Sequence, residues 1–242
     1  MATTLQDVGE AFGYLFKDQH WFGKLAMGAL FVFLSMFIVG IPFLLGYMVW
    51  TTRNVIRREP YPLPEWTHFG DMFVTGLKLI ATYIVYYIPF FLIIIIPLIL
   101  FGILGFVQVN PGFIGAFFGY YIFVIIASIG YSLFLIPVYL RFAMTDGVGR
   151  SLEAGKVWRF FKANLVNVLL VLLLSWVAGL IGGLGIIILF VGVFFTQMYA
   201  YLIQAHLMGQ MELAAQQDGT GMLSEDEREA AEIAQPNQET KQ

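Results

Sequence analysis

The chain has 242 residues, of which 59% are apolar and only 12% charged, and its net charge is −3. A soluble globular domain carries about twice that charged fraction, so the composition excludes this class and indicates an integral membrane protein. The chain has no cysteine, which also excludes disulfides, thiolate metal sites and a cysteine nucleophile.

The N-terminal part contains an amphipathic segment followed by a first apolar segment. Residues 1–24 carry five charged side chains, and we expect them to lie at the membrane interface. The apolar segment 25–50 has two alternative interpretations: one tilted crossing, or two short arms bent at residues 40–42, where the sequence is Gly-Ile-Pro. The two alternatives place the N-terminus on opposite sides of the membrane.

Two long runs of the chain contain no charged side chain. The first has sixty-two residues between Lys78 and Arg141, and the second has forty-nine between Lys162 and Glu212. Because a bilayer core about 30 Å thick is crossed by roughly 20 apolar helical residues, each run is long enough for two crossings. The runs are continuously apolar and do not alternate as in a β-barrel, so only helices satisfy the backbone in lipid.

Turn-forming residues divide each run into a helical hairpin. These turns lie at residues 108–112 and 182–185, which are rich in glycine, asparagine and proline. The predicted fold is all-α, a polytopic transmembrane helical bundle in which amphipathic linkers join the hairpins. The predicted membrane helices in these runs are 79–107, 113–140, 163–181 and 186–208.

Basic residues concentrate in two linkers, which the positive-inside rule places in the cytoplasm. The first contains Arg53, Arg57 and Arg58, and the second, at 141–162, has five basic and two acidic residues. The net positive charge and the apolar stripe of 141–162 predict that this linker lies on the membrane surface beside anionic lipid headgroups. The expected location is the inner, cytoplasmic membrane, with several crossings and a cytoplasmic C-terminus.

Three stretches of the chain share one layout, an amphipathic segment followed by a membrane hairpin. They begin near Val8, Trp66 and Val148, and a repeat of this kind favours the bent alternative for the first hairpin. The polar, acidic tail at 209–242 is expected to be disordered, apart from a capping box at Ser224 that starts a short helix.

The runs offer few groups for chemistry. Pumps and proton-coupled transporters keep charged residues within the membrane, and these runs have none. The best polar pair is Gln197 and Gln204, one heptad apart in the last helix, where the amides would bond to a neighbouring helix or line a path for a neutral solute. No acid, base and nucleophile form a catalytic pattern, so we expect no enzyme activity, no cofactor and no metal.

One part of the chain carries recognisable motifs, namely Gly46-Tyr47, the segment Leu63-Pro64-Glu65-Trp66 and the helix start from Phe69 to Leu77. Here the chain resembles the prokaryotic multispan membrane family catalogued as domain of unknown function 4013. The resemblance implies fold and membrane location but no activity, and its candidate motif positions are Arg57, Pro64, Trp66 and Gly76. Physically, the prolines hold an extended turn and Trp66 anchors the next helix at the headgroups, while docking of a partner on this loop is the alternative.

These observations lead to a non-catalytic accessory or scaffold component of the membrane as the expected function. The alternative is a transporter or channel for a neutral or lipophilic solute, and a lipid-modifying enzyme is the weakest hypothesis. The expected partners are the lipid bilayer and a membrane protein or a second copy of the chain. Nucleic acid is not expected, because the net charge is negative.

Overall fold

The computed structural model describes residues 8–107, 111–187 and 189–228 of the chain, and over these ranges the fold is all-α with no strand. Single 3-10 turns follow the first helix and precede the last one, at Tyr14–Lys17 and Gly185–Ile187. The α-helices are α1 (Val8–Gly13), α2 (Trp21–Ser35), α3 (Gly40–Ile56), α4 (Phe69–Val107), α5 (Pro111–Thr145), α6 (Val148–Ser151), α7 (Ala154–Ala163), α8 (Leu165–Leu184) and α9 (Leu189–Gln217).

The first apolar segment contains two helices and not one continuous helix. Residues 36–39 form the turn between α2 and α3, and Ile38 has a left-handed φ of 69°. Gly40 starts α3 close to α2, because a Cβ atom at this position would overlap the carbonyl oxygen of Phe31. The bend therefore falls just before the predicted residues 40–42, while the side on which the N-terminus lies stays a prediction.

The two hairpins predicted from the uncharged runs are present with longer helices. α4 begins ten residues before its predicted start, because the amphipathic residues from Phe69 to Lys78 continue without a break into the apolar helix. Three helices of the described ranges are long and apolar enough to span a membrane: Phe69–Ile103, Pro111–Thr145 and Leu165–Ile187. The helix α9, predicted as a crossing at 186–208, is not among them, and it is the helix that carries Gln197 and Gln204.

The prediction of a disordered tail from residue 209 is wrong for residues 209–228. α9 continues to Gln217, and beyond it Met222 and Leu223 are buried against the rest of the protein. The predicted capping box is confirmed, because the backbone N–H of Ser224 donates to the Glu227 carboxylate at 3.1 Å and the Glu227 N–H donates back to the Ser224 hydroxyl at 3.4 Å. Residues 229–242 lie outside the described residues, as do residues 1–7 of the predicted N-terminal segment.

Three helices run in the same direction and end at the same end of the bundle. The Thr52 hydroxyl lies 2.9 Å from both the Tyr139 hydroxyl of α5 and the Ala205 carbonyl of α9, which places these residues at one level. One step further along α3, the Arg53 side chain donates to the Ala143 carbonyl at 2.6 Å. Residue numbers thus increase in the same direction in α3, α5 and α9. Charged side chains, beginning with Arg53, lie beyond the level of Thr52, and we call this end of the bundle the charged end.

The three hairpins reach unequal distances from this shared level. The turn is twelve residues away along α3, sixteen along α9 and twenty-eight along α5. At 1.5 Å per residue these lengths are about 18, 24 and 42 Å. Measured from this level, only the α4–α5 hairpin is longer than the thickness of a hydrocarbon core, about 30 Å.

Candidate docking site at the charged end

The loop between α3 and α4 is folded onto the bundle. Its residues Pro62, Leu63 and Pro64 are buried, although they lie in a proline-rich connection. The Tyr47 hydroxyl donates to the Pro64 carbonyl at 3.0 Å, and the Asn54 amide donates to the Pro62 carbonyl at 3.0 Å. Each proline keeps the residue before it extended. In this extended loop the carbonyls of Pro62 and Pro64 are available to accept these bonds from α3. Pro64 is thus a fixed part of the fold.

Trp66 joins the loop to both helices of the first hairpin. Its ring stacks on Tyr47 with centroids 4.1 Å apart and on Phe31 at 4.9 Å, and its indole N–H donates to the Lys24 carbonyl at 3.0 Å. A headgroup anchor would present the indole N–H to the membrane interface. Here that donor is used inside the protein, and anchoring of Trp66 at the headgroups stays a prediction.

Lys24 forms a buried ion-pair cluster beside Trp66. Lys24 is 7% and Asp18 6% exposed, and the ammonium lies 2.8 Å from the Asp18 carboxylate, 2.7 Å from Glu65 and 2.9 Å from the Leu63 carbonyl. All three donors of the ammonium are therefore used. Burial raises the pKa of Asp18, but hydrogen bonds from Lys24 and from the His20 backbone outweigh burial and leave the pKa below its ordinary value.

Gly76 is a packing position between α3 and α4. A Cβ atom on Gly76 would overlap the Pro42 carbonyl oxygen, and a Cβ atom on Gly46 would overlap the Met72 carbonyl oxygen. The two glycines therefore let the backbones of the crossing helices touch. This backbone contact accounts for the glycines at motif positions 46 and 76, without any role in binding a ligand.

A cavity of about 760 Å³ opens beside this loop at the charged end. Among the predicted positions it is lined by Arg57, which is exposed, and by Pro64. Four acidic, three basic and two histidine side chains contribute to its lining. Such a balance of charges does not select a small anion or cation, but it is typical of a polar surface that meets another polar surface.

Gln197 and Gln204 lie on α9 and are both half-buried. The Gln197 side chain faces α8, because its carbonyl oxygen lies 2.8 Å from the position that a Cβ atom on Gly182 would take. Gln197 thus packs where the two backbones of this hairpin approach each other, and the lining of the 760 Å³ cavity contains neither amide.

A second charged cluster was missed by the sequence analysis. Arg141, predicted to lie at the membrane surface, is 0% exposed, and its guanidinium donates to the Glu227 carboxylate at 2.7 Å and 3.3 Å and to Glu153 at 3.2 Å. Lys156 adds contacts of 2.7 Å to Glu227 and 2.6 Å to Glu153. The only sequence signal for this cluster was the capping box, which contains Glu227.

The second cluster is a closed ion-pair network. Hydrogen bonds from Arg141 hold the pKa of Glu227 well below its ordinary value, and Lys156 acts in the same direction against partial burial. The hydrogen bond from Lys156 likewise lowers the pKa of Glu153. Each charge is paired and no nucleophile is present among these residues, so the arrangement stabilises structure and offers no catalytic geometry. The described ranges contain no group of three or more histidine or acidic residues placed to hold a metal.

Helix lengths, hydropathy and the charged end together define a polytopic all-α membrane protein. Within that class the chain belongs to the family described as Protein of unknown function (DUF4013), whose model matches residues 29–191. The resemblance found in the motifs around Pro64 and Trp66 is thereby confirmed. No curated protein and no solved structure shows a significant match to the chain.

Proposed function

We propose that the chain is a non-catalytic accessory or scaffold component of a multi-pass membrane assembly, with its charged end in the cytoplasm. The observation that carries this proposal is the position of the α4–α5 hairpin. Within an apolar stretch of 18 residues, no residue of α4 and 17% of those of α5 are buried by the rest of the chain, whereas 28% are buried in α8. The long hairpin thus stands beside the bundle and presents its surface to other membrane components.

Polar groups within the hairpins support a packing role over the alternative of a solute path. Ser128 donates to the Val124 carbonyl at 2.7 Å and Ser132 donates to the Ile129 carbonyl at 2.8 Å, so both hydroxyls bond to their own helix. A transporter needs such groups to face a common cavity. Cavities of about 760, 510 and 460 Å³ lie in the described ranges, and none of these three is lined by Ser128, Ser175, Gln197 or Gln204.

The two proposals differ in a flux measurement. The full chain is reconstituted into liposomes, and entry of glycerol or urea is followed by light scattering after an osmotic jump. The accessory role predicts the same rate as for protein-free liposomes of equal size. A rate that rises in proportion to the amount of protein inserted would establish the transporter alternative and contradict the proposal.

A second measurement tests whether the hairpin meets another protein. A photo-crosslinking amino acid replaces Phe118 on α5, which is 64% exposed, or Trp176 on α8, which is 55% exposed and serves as the matched control. Irradiation of intact membranes should give a discrete protein adduct from Phe118 and only lipid adducts from Trp176. Lipid adducts alone at both positions would count against a scaffold role for the hairpin.

A further inference from the structure

An apolar groove of about 460 Å³ lies on the side of the α4–α5 hairpin, where α7 passes over it. Phe90 and Ile93 of α4 form one wall, and Phe123 and Phe134 of α5 mark its ends along the hairpin. The eleven residues between these ends correspond to a length of about 16 Å. The groove therefore runs along the helix axis.

Aromatic stacking and a missing side chain create the groove. Tyr131 stacks on Phe90 with centroids 4.1 Å apart and planes 9° apart, which fixes the spacing of α4 and α5. Gly130, at the preceding position of α5, leaves the groove open, because no atom lies within 4 Å of the place that a Cβ atom would take there. The groove is thus an open space between packed helices.

The end of the groove near α7 lies beside one cationic side chain. Trp158 and Phe161 stack at 5.4 Å and line the groove at this end, and the Lys162 ammonium lies 5.8 Å above the Trp158 ring. Lys162 is exposed and forms no ion pair with a described residue. It differs in this respect from Lys156 on the same helix, which Glu153 and Glu227 neutralise.

We propose that this groove binds one acyl chain of an anionic phospholipid, with the lipid phosphate at Lys162. An apolar groove that ends beside an unneutralised cation matches a molecule that has a hydrocarbon chain and a negative headgroup.

The test uses two pairs of matched variants of the full chain, purified in mild detergent. Gly130→Leu fills the groove, and Gly119→Leu adds the same side chain to an equally open position of α5 that does not line it. Lys162→Gln removes the charge at the end of the groove, and Arg150→Gln removes an exposed charge of the same linker elsewhere. Native mass spectrometry measures the binding of phosphatidylglycerol and of phosphatidylcholine with identical chains.

The wild type should retain one phosphatidylglycerol more tightly than phosphatidylcholine. Lys162→Gln should weaken phosphatidylglycerol binding about fivefold and leave phosphatidylcholine binding unchanged. Gly130→Leu should remove the retained lipid of either kind, while Gly119→Leu and Arg150→Gln behave as the wild type. The thermal unfolding of each variant, followed by tryptophan fluorescence, separates loss of the site from loss of the fold.

Four results would overturn the proposal. Retention of lipid by a folded Gly130→Leu variant would show that the groove is not the site. Equal effects of Lys162→Gln and Arg150→Gln would show that the attraction arises from the overall charge of the linker and not from this site. Equal binding of both lipids by the wild type would exclude selection by charge. A dimer that dissociates in Gly130→Leu would assign the groove to a second copy of the chain. If Gly130→Leu does not fold, the comparison of Lys162→Gln with Arg150→Gln decides alone.

Discussion

The substitution Glu227→Gln tests whether the Arg141 network fastens the C-terminal segment to the bundle. Glutamine keeps the size of the side chain and one acceptor oxygen, but it removes the charge that faces Arg141 at 2.7 Å and Lys156 at 2.7 Å. Loss of one partner of a buried ion pair costs about 3–5 kcal/mol. Because Glu153 still pairs with Arg141 and Glu227 is 26% exposed, we expect a smaller cost of about 2 kcal/mol.

The expected cost can be measured locally, because the chain has no native cysteine. Leu223 is 8% exposed in the docked segment, so a cysteine in its place reacts with a maleimide only when the segment opens. A loss of about 2 kcal/mol should raise the labelling rate of Leu223→Cys about thirtyfold in the Glu227→Gln background. The matched control is Glu225→Gln, which makes the same chemical change at an exposed position two residues away.

The pH dependence of this effect has a defined sign. The pKa of Glu227 is lowered by folding, so its contribution to docking is complete above the ordinary carboxyl pKa and is lost as the pH falls below about 4.5. The difference between wild type and Glu227→Gln should therefore be full at pH 7 and decrease in acid. Labelling rates within twofold of each other at pH 7, or an equal increase in Glu225→Gln, would refute the assignment of Arg141 and Glu227 as the fastening pair.

Three further predictions concern other parts of the chain. Burial raises the pKa of Glu212 to about 7, so folding stability should fall as the pH rises from about 4.5 to 7. Glu212→Gln should therefore raise the free energy of unfolding by about 3 kcal/mol at pH 8 but not at pH 4, as measured by tryptophan fluorescence. Gly76→Ala should lower the free energy of unfolding by about 3 kcal/mol because the new Cβ atom meets the backbone of α3, whereas Gly70→Ala, in open space on the same helix, should not lower it. Gly183→Cys should react with an impermeant maleimide on intact cells and Gly149→Cys only after permeabilisation, whereas the reverse would contradict a cytoplasmic charged end.

The helices could be predicted from the sequence because hydropathy is a local property. The uncharged runs gave both long hairpins, and the Gly-Ile-Pro segment beginning at Gly40 gave the bend of the first one within a few residues. The motif around Trp66 was also readable as a fixed turn, since proline restricts its neighbours wherever it stands. The partner of the Trp66 ring was not predictable, because Phe31 and Tyr47 meet it only after α2 and α3 have packed.

The charged clusters could not be predicted, because their partners are far apart in the chain. Arg141 and Glu227 are separated by eighty-six positions, and a lone arginine after an apolar run is most simply interpreted as a headgroup contact. The acidic composition after Glu212 likewise indicated disorder, since composition does not report a single buried contact such as that of Met222. The ion pair of Arg141 with Glu227 and the burial of Met222 make both segments parts of the fold.

The same pairing joins the three hairpins at the charged end. Lys24 of α2 pairs with Glu65 ahead of α4, Arg53 of α3 pairs with Asp146 after α5, and Arg141 of α5 pairs with the segment after α9. The basic residues of the linkers therefore have a second role, because a charge held at the end of the bundle can also fasten one hairpin to the next. Away from this end the α4–α5 hairpin is held by aromatic packing, such as Phe90 on Tyr131, and by a hydrogen bond from the Tyr120 hydroxyl to the Ile94 carbonyl. Weakening an ion pair at the charged end should thus loosen the arrangement of the hairpins, while each hairpin keeps its own helices in lipid.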